Sequence, residues 1–223
     1  MTNLESLQNL LDARHSCRAF LPDPVERDLI EGIVRDAGRV PSWCNAQPWQ
    51  LHITSGDETE RLRSVLLDAL ENKNAEGDFD FPTGYSGDHL ARRRKCGFQL
   101  YEAVGIERGD REGYARQMAE NYRLFGAPHV AIITTPTELG TYGAVDCGGF
   151  ITAFCLSAQA RGIATIPQAA LSFYAPTLRR FFDIAEDRRI LCAISFGYAD
   201  TDHPANTFRT ERAPLEDVIH WHD

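Results

Sequence analysis

The stretch from Gly143 to Arg161 constrains the fold of this chain more than any other. If this stretch forms a helix, nearly every face of the helix is apolar. Small residues cluster at its start (Gly143, Ala144, Gly148 and Gly149). A helix that is hydrophobic all round has to be buried on several sides. A chain of 223 residues has few interiors deep enough, so the stretch predicts a helix at a subunit interface.

Composition and length narrow the class of protein. No repeat, low-complexity tract or linker divides the chain, so we expect a single domain over residues 1–223. The net charge of −9 and a pI near 5.3 argue against a nucleic-acid partner, whose site would present a basic face. Six cysteines without a C-x-x-C pair indicate reduced thiols in a cytosolic protein. With no signal-peptide design and no apolar run that approaches a membrane span, we expect a soluble cytoplasmic protein without a membrane partner.

The hydrophobic pattern predicts several helices and three strands. The helix that follows the first is expected to start at Asp23 as N-cap, with Pro24 in its first turn and Glu26 reaching back. Predicted helices cover residues 3–13, 23–38, 57–73, 92–104, 111–125, 143–161 and 176–184, and predicted strands cover 49–53, 129–135 and 190–198. The aperiodic stretch 74–87 is expected to be a lid or a flexible excursion.

A basic group follows the first helix. Arg14 and Arg18 lie four residues apart with Ser16 between them, in a chain that is acidic overall. Arginine forks match phosphate and other planar anions through paired hydrogen bonds. The alternative is a helix C-terminus whose arginines bond the last carbonyls. In the tail, Arg209 and Arg212 could complete a phosphate clamp with Arg14.

A second polar stretch lies between prolines. Residues 41–49 hold two amides, a hydroxyl and two indoles, which suits a rigid loop that presents polar groups to a planar ring. The alternative is a turn whose tryptophans fill the core. The sequence shows no metal-ligand spacing, no G-x-S-x-G elbow, no P-loop and no glycine fingerprint after a strand. Because no nucleophile or acid–base pair stands out, we expect a bound cofactor to carry the chemistry.

Five motifs, in order along the chain, resemble the FMN-dependent nitroreductase family. They are Arg14-x-Ser16-x-Arg18-x-Phe20, Pro41-Ser42-x-x-Asn45-x-Gln47-Pro48-Trp49, Phe125-Gly126-Ala127-Pro128, the segment Gly162 to Pro167, and Gly197-Tyr198-Ala199-Asp200 followed by Arg209-x-x-Arg212-x-Pro214-Leu215. The resemblance implies an α+β nitroreductase-like fold, with a central, mostly antiparallel or mixed sheet wrapped by helices. It also implies an intertwined homodimer in which the C-terminal tail, about 200–223, extends onto the partner. FMN would occupy two sites at the interface and be reduced by NADH or NADPH.

The resemblance also assigns site residues by position. Arg14, His15, Ser16 and Arg212 resemble the phosphate and ribityl ligands, with Arg209 as a helper, and Arg18 matches a basic residue at the flavin pyrimidine edge. Pro41, Ser42, Trp43, Asn45 and Gln47 would reach the flavin from the other subunit. Pro167, Gln168 and Ala169 resemble the segment beside N5, with Asn121 and Arg123 as further candidates at the pyrimidine edge. Many relatives carry an acidic residue and a glycine after that proline segment, where this chain has Ala169 and Ala170.

The activity that the resemblance implies is an NAD(P)H nitroreductase that takes a nitroaromatic to the hydroxylamine by a ping-pong mechanism. Phe125, Tyr142, Phe173 and Tyr174 are candidates for stacking on an aromatic substrate. The same fold also serves quinone or enone reduction, free-flavin reduction and reductive dehalogenation. A non-catalytic flavin-binding module is the alternative from another class of protein.

Overall fold

Four antiparallel strands form one sheet in the computed structural model, which describes residues 2–73 and 75–222. The strands are β1 (Gln50–Thr54), β2 (His129–Pro136), β3 (Ala164–Gln168) and β4 (Arg188–Gly197), in the order β1-β2-β4-β3. The three predicted strands are confirmed to within two residues at each end. Residues 163–167, which we had assigned to neither a helix nor a strand, supply most of β3. The α+β class is therefore confirmed.

Seven helices surround the sheet. They are α1 (Asn3–Ala13), α2 (Arg27–Ala37), α3 (Asp57–Glu71), α4 (Gly87–Ala103), α5 (Arg111–Ala119), α6 (Gly140–Ala160) and α7 (Ala175–Phe182). Helix α1 starts in a capping box, in which Thr2 and Glu5 each bond the other's backbone N–H. Helix α4 begins five residues before the predicted start at residue 92.

The entry into α2 differs from our prediction. The helix begins at Arg27 with Glu26 as N-cap, so the predicted start at Asp23 was wrong. The backbone N–H of Val25 donates to Nε2 of His129 at 2.9 Å, and the Val25 side chain is buried. This contact with β2 holds the preceding residues in an extended connection, and it overrides the local helix signal.

Helix α5 ends earlier than predicted. It stops at Ala119 instead of residue 125, and the chain then turns with φ of +58° at Leu124 and +53° at Phe125. Both side chains are buried in the core. Left-handed backbone is unfavourable for such residues, so burial of two large apolar side chains offsets the strain of the turn.

The core lies on both faces of the sheet. Along β2, Val130 and Ile132 face α3 and α7, whereas Ala131 and Ile133 face α2 and α6. All four residues are fully buried. Covered faces on both sides explain why β2 is a continuous apolar run in the sequence.

Helix α6 packs on the sheet along one side only. Phe150 and Phe154 are fully buried against the strands, while Val145 on the opposite side is 62% exposed. By length and composition, the stretch Thr137–Ala160 could cross a membrane. Our prediction that no apolar run approaches the length of a membrane-spanning helix was therefore wrong. The core helix of a soluble protein passes the same test.

The C-terminal tail runs along helix α4 of its own chain. Lys95 pairs with Glu211 at 2.6 Å and Arg92 pairs with Asp217 at 3.2 Å. The basic run 92–95 lies on this helix, and all four of its residues are exposed. Two of the four cations nevertheless hold the tail.

Candidate functional site

The arginine stretch lies beside the edge strand β3. Helix α1 ends at Ala13, and the chain then continues in extended form, with Ser16 bridging to Thr165 in parallel. The N–H of Cys17 donates to the carbonyl of Thr165 at 3.0 Å. Arg14 is the C-cap residue of α1, and its backbone N–H donates to the carbonyl of Leu10, whereas Arg18 lies beyond the helix end.

Four arginines from the two ends of the chain converge on one cavity of about 290 Å³. Its lining residues are Leu11, Asp12, Arg14, His15, Ser16, Arg18, Cys96, Phe208, Arg209, Thr210 and Arg212. We name this cavity the arginine pocket. The structure thus brings together six of the residues that the sequence predicted as phosphate, ribityl or pyrimidine ligands.

The arginine pocket has an excess of positive charge. Within the described part of the chain, no carboxylate lies within 4 Å of the guanidinium of Arg14, Arg18, Arg209 or Arg212. All ion pairs among the described residues involve other cations. The tail arginines bond backbone carbonyls, such as that of Asn206 to Arg209 at 2.8 Å. Unpaired guanidiniums around one cavity are suited to bind a phosphate.

Arg18 is a partly buried cation of the arginine pocket. Its Nη1 donates to the carbonyl of Ser16 at 3.2 Å, and its guanidinium lies 5.6 Å from the ring centroid of Phe208. Its backbone N–H donates to Oδ1 of Asn206 at 2.7 Å, which ties this stretch to the tail. Burial lowers the pKa of Arg18 from its usual value, since the desolvated cation lacks a countercharge.

His15 is held as a neutral imidazole by the same surroundings. Burial lowers its pKa, and the positive charges of Arg209 and Arg14 lower it further, while a contact of Nδ1 with the Ala13 carbonyl at 3.1 Å acts in the opposite direction. A neutral ring offers both a donor and an acceptor, which suits it to contact hydroxyl groups.

A second cleft of about 420 Å³ continues from the arginine pocket. Arg14 and Arg212 line both cavities, and the second one extends past Cys155 of α6 to Pro167 of β3. The surface from the arginines to the end of β3 is therefore continuous. The predicted phosphate ligands and the predicted N5 segment lie along it.

The segment after Pro167 presents its backbone, since the Gln168 side chain is used internally. Gln168 is 3% exposed, its Nε2 donates to the carbonyl of Asn121 at 3.0 Å, and its Oε1 accepts from Ser195 Oγ. Pro167 and Ala169 on either side are exposed. Any contact of Gln168 with a cofactor would therefore have to come from its main chain.

The two candidates that precede β2 differ in position. Asn121 contacts Gln168 and so lies at the end of β3. Arg123 pairs with Glu120 at 3.0 Å on the surface and lines neither of the two cavities. Of the two, Asn121 is the one that the structure places beside the candidate site.

Residues 41–47 lie away from the arginine pocket of their own chain. The ring of Trp43 lies 4.7 Å from that of Tyr142, and Asp146 of α6 accepts its backbone N–H. Trp43 is 59% exposed, whereas Trp49 stacks on Phe150 in the core, as the alternative for this stretch predicted. The polar groups of Pro41, Ser42, Asn45 and Gln47 belong to this same loop. A single chain does not bring the two halves of the predicted site together.

Two of the four aromatic substrate candidates have to be corrected. Phe125 and Tyr174 are 6% and 4% exposed and belong to the core, so neither ring face is free for stacking. Tyr142 and Phe173 are exposed. Phe173 stacks on Phe81 with ring centroids 3.6 Å apart, a contact that the sequence did not indicate.

The first half of the excursion predicted as a lid is tied down. Asp78 pairs with Arg179 at 2.8 Å and accepts the N–H of Ile190 at 2.7 Å. The N–H of Glu76 donates to the carbonyl of Phe173 at 2.6 Å. Residues 76–81 are therefore docked on α7 and β4, and Asn74 of the predicted lid lies outside the described residues.

Other site residues escaped the sequence reading. Cys96 and Phe208 line the arginine pocket, although no motif pointed to Cys96, and Phe208 is marked only by its place before Arg209. No cluster of His, Cys, Asp and Glu that could hold a metal ion occurs in residues 2–73 and 75–222.

Comparisons with known proteins agree with the resemblance. The profile of the Nitroreductase family matches residues 11–198. Nitroreductase NfnB of Mycolicibacterium smegmatis is 36% identical over 218 residues, which cover 97% of this chain and 93% of that protein. A 4-nitrobenzoate reductase of Pseudomonas putida is 31% identical over 209 residues, 94% of this chain and 92% of that one. The crystal structure of FMN-dependent nitroreductase NfnB from Mycobacterium smegmatis in complex with NADPH matches with a TM-score of 0.95 at 34% identity, and each chain is covered completely.

Proposed function

This chain belongs to the nitroreductase family, and we propose that it is an FMN-dependent oxidoreductase that uses NADH or NADPH to reduce nitroaromatic compounds to hydroxylamines. The observation that carries the proposal is the arginine pocket, with four guanidiniums that have no ion-pair partner among the described residues. Its continuity with the cleft at Pro167 gives room for a phosphate and, beyond it, a larger planar group.

The residues of the arginine pocket fit the phosphate end of FMN. Arg14 and Arg212, which line both cavities, would hold the phosphate, with Arg209 as a further donor. The neutral imidazole of His15 and the hydroxyl of Ser16 would contact the ribityl chain. In a chain with net charge −9, an acidic ligand needs such a local excess of cations.

The ring system would lie toward the end of β3. Arg18 and Asn121 would contact the pyrimidine edge of the flavin. The backbone of Pro167, Gln168 and Ala169 would lie beside N5. When bound, FMN supplies the redox chemistry by taking hydride from the reduced nicotinamide and giving it to the acceptor. One nitro group needs four electrons to become a hydroxylamine, so two NAD(P)H and two protons yield one hydroxylamine, two NAD(P)⁺ and one water. Water can supply the protons.

We propose a homodimer, because several apolar surfaces of the single chain are uncovered. Helix α1 has no buried residue and exposes Leu4, Leu7 and Leu11, and α6 exposes Val145 on its free side. Residues 41–47 would then reach the flavin of the partner subunit. This arrangement accounts for the separation of the two half-sites within one chain.

The tail is the second element that we assign to the dimer. Leu215, Val218 and Trp221 are 65–80% exposed, which is unusual for apolar residues of a folded tail. Strand β1 lies at an edge of the sheet, so its outer backbone groups are open to another chain. We propose that the tail, residues 200–223, keeps Arg209, Glu211 and Arg212 on its own chain and extends onto the partner through its apolar end from Leu215 onward. The tail is part of a single domain formed by residues 1–223.

The six free cysteines support a reducing compartment, and we place the enzyme in the cytoplasm. The partners that we propose beyond the second subunit are a nicotinamide cofactor and an electron-poor, aromatic small molecule. The exposed rings of Tyr142 and Phe173 supply stacking surface for the latter.

Anaerobic stopped-flow spectroscopy tests the proposed function. The FMN-loaded protein should lose its yellow absorbance on mixing with NADH or NADPH, and 4-nitrobenzoate should restore it in a separate second mixing. Turnover should consume two nicotinamides per hydroxylamine, with parallel lines in double-reciprocal plots. Protein that binds no FMN, or bound FMN that neither nicotinamide bleaches, would refute the proposal.

The second mixing also separates the alternatives. Reoxidation by a quinone or an enone but not by the nitro compound would indicate the corresponding reductase, and release of reduced FMN would indicate a flavin reductase. Halide release from a halogenated phenol would indicate a dehalogenase. Bound FMN that stays oxidised with both nicotinamides would indicate a flavin-binding module.

A further inference from the structure

Asp146 is the single charged residue of helix α6. Its side chain is partly buried. Its Oδ2 accepts the backbone N–H of Trp43 at 3.0 Å, across 103 positions of the sequence. This carboxylate therefore fixes the chain at residue 43 to the first half of α6.

The backbone that follows Trp43 is strained. Three residues that are not glycine have left-handed φ angles, +48° at Cys44, +57° at Asn45 and +49° at Gln47. Such angles persist only where the surroundings determine them, and they are concentrated at ligand-binding sites. We name residues 42–48 the strained segment.

Hydrogen bonds within the strained segment and to its neighbours hold it in this shape. Besides the bond to Asp146, the N–H of Gln47 donates to Oγ of Ser42 at 3.0 Å, and Arg188 donates to the carbonyl of Pro48 at 2.9 Å. Two backbone bonds, from Asn45 to the Ser42 carbonyl and from Ala46 to the Trp43 carbonyl, also close the segment, and the bonds to Asp146 and Arg188 fix its two ends. Asp146 is the anchor that belongs to α6, the helix whose free side we assign to the dimer.

We infer that Asp146 is a positioning residue for the cofactor: it holds the strained segment so that Asn45 and Gln47 present their polar groups to the FMN of the partner subunit. The inference rests on the proposed function, because it takes FMN as the ligand. Asp146 acts through the backbone of Trp43. Its side chain lines neither the arginine pocket nor the adjoining cleft.

The test compares variants of the full-length protein by their equilibrium dissociation constant for FMN, measured through flavin fluorescence. Asp146→Ala should bind FMN more weakly, by up to about tenfold, because the lost hydrogen bond orders the strained segment and does not itself contact FMN. Asp146→Asn should bind like the wild type, because an amide oxygen accepts the same N–H. Glu138→Gln is the matched control, since Glu138 lines the same small cavity beside Trp43 as Asp146 does.

Visible circular dichroism of the bound flavin gives a readout that a loss of stability alone would not change. We expect an altered flavin band in Asp146→Ala at saturating FMN and a wild-type band in Asp146→Asn. Wild-type affinity and an unaltered band in Asp146→Ala would overturn the inference. Equal weakening by Asp146→Asn or by Glu138→Gln would overturn it as well, because a general charge effect would then explain the loss.

Asp146→Glu provides the test if the alanine variant does not fold. It keeps the charge but displaces the acceptor by one methylene, so FMN binding should weaken while the melting temperature of the apo-protein stays near the wild-type value. Wild-type affinity in this variant would overturn the inference. Wild-type protein that binds no FMN would instead refute the proposed function.

Discussion

Replacement of Arg14 by alanine should leave the purified protein largely free of FMN. Arg14 is half-buried, lines both the arginine pocket and the adjoining cleft, and has no ion-pair partner among the described residues. Its guanidinium can thus give one or two hydrogen bonds to a phosphate without first breaking an ion pair. The substitution removes this clamp without deleting core volume.

The size of the effect follows from those bonds. Each hydrogen bond to a charged group contributes about 1.5–3 kcal/mol. One or two such bonds correspond to a rise in the dissociation constant of roughly 10-fold to more than 1000-fold. Arg14 is partly open to solvent, which screens its charge, so the lower part of that range is expected.

Dialysis followed by absorbance at the flavin band measures occupancy, and fluorescence titration gives the dissociation constant. Arg14→Lys should lie between the wild type and the alanine variant, because an ammonium keeps the charge and loses the fork. Arg27→Ala is the control, since this exposed arginine of α2 pairs with Glu31 and lines neither of the two cavities. Unchanged FMN occupancy in Arg14→Ala, or an equal loss in Arg27→Ala, would refute the assignment of the clamp.

Three further predictions concern the tail, redox tuning and pH. Deletion of residues 214–223 should give monomeric or aggregated protein without flavin, and a soluble yellow monomer in size-exclusion chromatography would contradict the proposed exchange. Arg18→Met should lower the midpoint potential of bound FMN by several tens of millivolts, since about 1.4 kcal/mol corresponds to about 30 mV for two electrons; an unshifted spectroelectrochemical titration would remove Arg18 from the site. Burial lowers the pKa of His129, whose Nε2 accepts from Val25, so its contribution to stability is complete above about pH 6.5 and is lost as the pH falls. Urea unfolding of the apo-protein from pH 8 to 5 should show this loss. The same dependence of the free energy of unfolding on pH in a His129→Gln variant would contradict it.

Local patterns in the sequence were enough for most of the fold. The strand 129–135 and the helix 143–161 are visible because both consist of apolar residues that end at turn signals, and both were located to within three residues. The start of α2 was missed, since a long-range bond between Val25 and His129 decides where that helix begins. Contacts of this kind leave no mark in a local pattern.

The candidate site was predictable to different degrees. Arg14 and Arg212 were recognised through charge and motif spacing, although they lie far apart in the sequence and meet only in the fold. The stacking candidates Phe125 and Tyr174 were wrong, because an aromatic residue looks the same in the sequence whether it fills the core or lines a cleft. Asp146 was not noticed at all, since its partner is a backbone N–H and carries no residue-type signal.

Helix α6 offers a geometric test of how the two half-sites meet. Its 21 residues span about 30 Å, with Asp146 near one end and Cys155, beside the arginines, toward the other. In a two-fold dimer, residue i of one chain contacts residue j of the other and the reverse. If the two copies of α6 cross near Gly148, the strained segment of one chain faces the arginine pocket of its partner, and this happens twice.

Replacement of Gly148 by leucine tests this crossing. Gly148 is exposed, and a Cβ there meets nothing within 4 Å in its own chain, so leucine should be tolerated by the subunit fold and even favoured in a helix. At a close crossing of two helices, however, the same side chain would push the subunits apart. We expect a folded protein by far-ultraviolet circular dichroism that sediments as a monomer and has lost FMN. Ala160→Leu adds an apolar side chain to the end of the same helix and should stay dimeric and yellow. A dimeric, FMN-loaded Gly148→Leu protein would show that α6 does not cross its copy there, and the half-sites would have to meet by another route.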